Sequence, residues 1–283
     1  MDTYKKILIE NAPDIENYSF PVADECDAVI FDQYIQLDTI VNEIEQLNQM
    51  FLYNLRAFDP YILKYDDKVF LKDADVSVDF ITINALFTNL ISSGKVLMDR
   101  VDVILDKDFQ GNHLETFRKQ CSAKIYEHSF AYRFFSKLRN VCQHGHLLVS
   151  QRQDGRFCFD LNQIKELRHF CFDNKAIKGE IERIIAEIGQ KYHDEPNICF
   201  TRNIDEYVKA VFEIYYKFLN YIRSDVEEIC KNATDILRKR SEYVCKEKPY
   251  SGLVLYEDNE ENPHLFMAKG NTSNVFLQNL RNC

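Results

Sequence analysis

The chain contains no tryptophan, and of its 283 residues only 8 are glycine and 6 are proline. Residues that punctuate a chain into short strands and tight turns are therefore scarce, which favours long helices. No stretch approaches the roughly 20 consecutive apolar residues needed to cross a bilayer, so no membrane association is expected. The opening MDTYKKILIENAPDIE lacks the apolar run and small-residue cleavage site of a secretory leader. None of the nine cysteines forms a Cys-x-x-Cys pair. Scattered thiols, odd in number, read as buried or free side chains in a reducing compartment, so a cytoplasmic location without a disulfide framework is expected. Also absent are GxxxxGK[ST], GxSxG and HExxH, which leaves the phosphate-loop, serine-hydrolase and zinc-peptidase readings without support.

What the chain does have is 21 Phe and 16 Tyr, enough to fill a substantial core, with 46% hydrophobic and 28% charged residues. Its net charge of -10 repels polyanions over most of the surface, so general coating of nucleic acid, DNA included, is not expected. The charge is uneven, however. Between Gly111 and Leu147, Arg118, Lys119, Lys124, Arg133, Lys137 and Arg139 face only Glu115 and Glu127, a local net of +4 that leaves -14 for the remainder. Four of the seven His (His113, His128, His144 and His146) fall in the same segment. A basic, histidine-rich stretch in an acidic chain suits an anionic substrate, and equally a solvated basic helix face.

Apolar residues at helical spacing predict long helices over about 27–57, ending near Pro60, and over 76–106, where Gly94 lies in the apolar stripe and suits close helix contact. A third helix is expected from just after Gly111 to about His144, stopped by Gly145. The run HLLVSQRQDGRFCFDL predicts a β-hairpin over about 147–160, turning at Asp154-Gly155. Helical pattern resumes over about 162–192, and a last long helix is expected over 203–247. In the tail, GLVLY and HLFMA read as two short strands. The expected fold class is all-α: one domain spanning 1–283, with a helical core at 27–247, the hairpin, and a C-terminal extension at 248–283.

The third helix carries the chemistry. Ala131, Phe134, Phe135, Leu138, Val141 and Cys142 form one apolar face, and Arg133, Ser136, Lys137, Asn140 and His144 the opposite one. Asn140 and His144 are four apart and point the same way. Arg139 is about 140° round from His144 on an ideal helix, a separation that the reach of arginine covers. Cleaving RNA requires a ribose 2′-hydroxyl to lose its proton and attack the adjacent phosphate. Histidine titrates near neutral pH and suits proton transfer. A guanidinium matches two phosphate oxygens at once, and Asn140 offers both a donor and an acceptor. Arg133, Lys137 and His146 are candidate RNA contacts. The bland alternative is that Arg, Asn and His satisfy helix-end carbonyls and the helix dipole.

The sequence LRNVCQHGH contains Arg-Asn-x-x-x-His at Arg139, Asn140 and His144. This resembles the motif of the HEPN superfamily, in which Arg, a polar residue just after it and a His following four to six intervening residues lie near a helix end in an all-α bundle. The likeness rests on that motif and its surrounding long helices, roughly residues 76–146, and identifies no subfamily. It implies a metal-independent endoribonuclease without a cofactor, leaving 2′,3′-cyclic phosphate and 5′-hydroxyl ends. It also implies a homodimer and a role as toxin or antiviral effector, with an antitoxin or regulatory partner. The competing implication is a non-catalytic module of the same type that binds RNA or a protein. A rival site, Cys142-x-His144-x-His146, has ligand types suited to zinc. It lacks a fourth ligand at metal-like spacing and splits Cys142 from His144 across two helix faces, so no metal is expected.

Overall fold

Long apolar stripes and few breakers produce a predominantly helical protein, seen in a computed structural model. The structure describes residues 7–8, 25–64, 76–109, 111–143, 145–151, 157–160, 163–164, 183, 186–187, 197–244, 252–257 and 264–269. Helix α1 spans Glu25–Lys64. It continues one turn past Pro60, where the sequence expectation ended it, although an interior proline loses an N–H bond and crowds the carbonyl four residues earlier. Helix α2 spans Val76–Val103 and ends in a wider turn with i→i+5 character at Ile104–Asp108.

The expected third helix is broken. It comprises α3 at His113–Phe117, a π turn at Arg118–Ser122, α4 at Ala123–His128 and α5 at Phe130–Gln143. Ser129 is extended between α4 and α5, with φ -94° and ψ 107°. Its hydroxyl accepts the Tyr132 N–H at 3.2 Å, as an N-cap does. It also donates to Glu206, whose carboxylate accepts the Ala131 N–H at 3.2 Å. The break is therefore satisfied from both sides.

Beyond α5, β2 at Val149–Gln151 and β3 at Phe157–Asp160 form the expected hairpin, with Val149 opposite Phe159. A third antiparallel strand, β4 at Asn197–Cys199, adds to β3. Helix α6 follows at Phe200–Tyr221 and α7 at Arg223–Val244. The single last helix expected from the sequence is thus two, divided at Ile222. The Val226 N–H returns to the Ile222 carbonyl at 3.0 Å, so Ile222 starts α7, and Asp225 lies in the first turn where a carboxylate is favoured. Ile222 and Val226 are both buried, which is why the apolar spacing ran across the break unnoticed. In the tail, β5 at Gly252–Glu257 and β6 at His264–Lys269 are strands as expected; they pair antiparallel, and β1 at Ile7–Leu8 adds to β5. The all-α expectation is thus coarsened to mostly α, with two small antiparallel sheets.

The chain divides into two compact units, Met1–Glu43 with Leu219–Cys283, and Ile44–Phe218. Both boundaries fall inside helices, so no linker marks them. In the first unit α1 buries Tyr34, Leu37 and Val41, while α7 buries Val226, Cys230 and Ala233. In the second, Phe87, Phe135 and Phe159 bring α2, α5 and β3 together with ring centroids 5.1–5.3 Å apart. Helix α2 reaches a mean hydropathy of 1.2 over an 18-residue window. Phe87, Leu90 and Leu97 of that helix are fully buried, and Phe87 contacts α5 and β3, so this part of its apolarity is core. Gly94 meets the expectation of close approach: a Cβ there would lie 2.4 Å from the Tyr207 hydroxyl of α6.

Candidate active site

The motif helix is held from beneath by its apolar face. Phe134, Phe135, Leu138 and Val141 are all buried, and Phe134 and Phe135 both pack on Phe159 of the hairpin. The opposite side of α5 carries Ser136, Lys137, Arg139 and Asn140, none of them buried. The helix stops as expected. Gly145 has φ +83°, a left-handed conformation that glycine adopts without strain, and its N–H bonds the Cys142 carbonyl at 2.9 Å. His144 lies outside the described residues, as do the hairpin tip at 152–156 and most of the helix expected over 162–192.

Arg139 is half-buried and Asn140 exposed. The Arg139 Nη1 donates to Asn140 Oδ1 at 3.5 Å, a long and weak bond. The Arg139 Nε is buried without an acceptor among the described residues. A buried, unsatisfied donor costs about 1–3 kcal/mol, more when charged. The guanidinium is therefore held beside its motif neighbour with hydrogen-bonding capacity left over.

Lys137 is half-buried on the same helix. Burial pushes its ammonium below the ordinary lysine range, and the nearby Lys95 ammonium of α2 adds to the effect. An ammonium disfavoured by burial and by a neighbouring cation gains from an anion placed near it. Nothing in the sequence pointed to Lys95, since it reaches this region from a different helix 42 positions earlier in the chain. His146, after the glycine turn, is half-buried.

Arg133 does not join this group. It is only 3% exposed, and its Nη1 donates to the Tyr126 carbonyl at 2.7 Å and also to the Glu127 carbonyl. Its Nη2 pairs with Glu187. The guanidinium thus satisfies the C-terminal carbonyls of α4 that the Ser129 break exposes. The expected RNA contact at Arg133 is replaced by a structural role, for which the break at Ser129 is the physical reason. A serine before an apolar run is one helix-start signal, but the apolar spacing continues in step across Ser129 and masks it.

Cys142 is buried beside Thr88, and burial raises its thiol above the ordinary range. That opposes the thiolate which zinc requires, and it sets Cys142 on the core side of α5. No group of three or more metal-ligating side chains occurs among the described residues. Comparison with family models, with curated proteins and with solved structures returns no match to this chain.

Proposed function

We propose that this protein is a metal-independent endoribonuclease of HEPN type, acting as a toxin or antiviral effector. The observation that carries the reading is Arg139: a half-buried guanidinium beside the exposed Asn140 on the side of the motif helix opposite its apolar face. Phosphate oxygens are the acceptors that a guanidinium fork fits, and the negative charge that develops on a pentacoordinate phosphorus strengthens those bonds in the transition state. In the proposed reaction His144 takes the proton of the ribose 2′-hydroxyl. The 2′-oxygen bonds to phosphorus and the bond to the 5′-oxygen breaks, with a proton delivered to that leaving oxygen. Arg139 holds the charged phosphoryl oxygens, Asn140 orients the histidine or the phosphate, and Lys137 and His146 hold flanking RNA. Two copies of the chain pair in this reading, as the HEPN resemblance implies, and a regulatory protein restrains them.

The competing reading, a non-catalytic module, would be favoured by an Arg139 bonded only to backbone. Among the described residues Arg139 bonds the Asn140 side chain instead. The test is incubation of the purified chain with mixed RNA in excess EDTA, beside Arg139→Ala and His144→Ala. Cleavage by the unaltered protein alone, with cyclic-phosphate ends, is expected. RNA left intact by all three proteins overturns the ribonuclease reading for the isolated chain, and equal cleavage by all three assigns the activity elsewhere.

A further inference from the structure

Within the second unit, a cleft of about 290 Å³ opens between α2, the π turn at Arg118–Ser122 with α4, and the start of α5. Its apolar side includes Tyr126 and Tyr132, edge to face at 6.2 Å. Its polar side has both signs of charge. Lys95 pairs with Asp99, and Arg118 pairs with Asp102 at 2.5 Å. Glu127 also lines it; the Glu127 backbone carbonyl is taken by Arg133, and its carboxylate has no ion-pair partner among the described residues. Desolvation, with the charges of Asp102 and Asp99, raises the Tyr132 hydroxyl well above the ordinary tyrosine range, so it stays a donor.

A cleft at the small end of the usual ligand range of roughly 300–1,000 Å³, aromatic on one side and lined by donors and acceptors on the other, matches a flat heterocycle. Among the nucleobases, guanine presents N1–H and the N2 amine side by side, which one carboxylate accepts with its two oxygens. Its O6 and N7 are acceptors for guanidinium or ammonium. Adenine, cytosine and uracil lack that pair of adjacent donors. The cleft is also placed for RNA. Tyr132 and Arg139 are seven residues apart on α5, about 10 Å along the axis and within about 20° around it. Both therefore lie along one edge of the helix. Unpaired bases splayed from a single strand are read by stacking and edge hydrogen bonds of this kind.

We propose that this cleft binds guanine and reads an unpaired guanosine near the bond to be cut. Its role in cleavage rests on the ribonuclease reading above, whereas base recognition rests on the cleft alone. Glu127 accepts from the Watson–Crick edge, Arg118 or Lys95 donates to O6, and the tyrosines contact the ring.

The test is calorimetric titration of the full chain with guanosine, adenosine, cytidine and uridine separately, repeated on Glu127→Gln and Ala123→Phe. Ala123 lines the cleft, so phenylalanine there fills it without removing a hydrogen-bonding side chain, and a thermal melt checks that both variants fold. Guanosine is expected to bind at least tenfold more tightly than the other three. Glu127→Gln should weaken it at least tenfold and Ala123→Phe should abolish it. Absent guanosine binding, equal binding of all four nucleosides, or guanosine binding that both folded variants retain would each overturn the proposal. Guanosine binding with RNA left intact in EDTA removes the ribonuclease reading and keeps the cleft. Cleavage without nucleoside binding does the reverse.

Discussion

Asn84 exchanges two hydrogen bonds with the backbone of Val149: its Nδ2 donates to the Val149 carbonyl at 3.1 Å, and its Oδ1 accepts the Val149 N–H at 3.0 Å. Asn84 is only 2% exposed. It imitates a neighbouring strand at β2, and so ties the hairpin that leaves the motif helix to α2. Asn84→Leu should destabilise the protein by about 2–4 kcal/mol, because both Val149 backbone groups lose their partner in a buried site. Urea unfolding measures this. A change under about 0.5 kcal/mol would show that the pair does not anchor the hairpin.

Arg133 separates a structural from an RNA-binding arginine. Arg133→Ala leaves the Tyr126 and Glu127 carbonyls unsatisfied and removes the pair with Glu187. A loss of about 3 kcal/mol of stability is expected. Lys137→Ala should weaken RNA binding and lower its salt dependence by about one counterion, with little change in the melt. Filter binding across a salt series distinguishes the two. An Arg133 variant that melts normally yet binds RNA poorly would restore it as a contact.

The contact between Gly94 and Tyr207 predicts a rescue. Gly94→Ala places a methyl 2.4 Å from a rigid phenol oxygen that also donates to the Ile91 carbonyl at 3.3 Å. A cost of about 1–3 kcal/mol is expected. Adding Tyr207→Phe removes the clashing oxygen and should return part of the loss, read as a coupling in a double-mutant cycle. Strict additivity of the two changes would refute the contact.

The Cys121 thiol sets an alkaline limit. Burial raises it from 9.0 to about 11. The unfolded chain therefore releases this proton before the folded one does. The stability it contributes is fully present below pH 9.0 and is lost as pH rises through about 11. Melting temperature should fall over that window by a few degrees, and the fall should be smaller in Cys121→Ala. An identical alkaline profile in the variant would assign the loss to other groups.

The helical class, the apolar face of α5, the glycine stop, the hairpin and the two tail strands were all legible in the sequence, because each rests on local periodicity or turn chemistry. The placement of Arg139 and Asn140 side by side near the end of one helix was legible for the same reason, since neighbours on a helix need no distant partner. The breaks at Ser129 and Ile222 were not, because buried residues on either side keep the apolar spacing in step while caps such as Glu206 arrive from another helix. Strands β1 and β4 were missed because short segments become strands only when an existing edge offers them hydrogen bonds. Arg133 and Lys95 show the same limit with charge. One lysine and one arginine in a sequence are each only a cation. Only tertiary packing decided that Arg133 is enclosed among α4 carbonyls and Glu187, and that Lys95 stands near Lys137 and the cleft, since desolvation and partner distance are properties of neighbours remote in the chain.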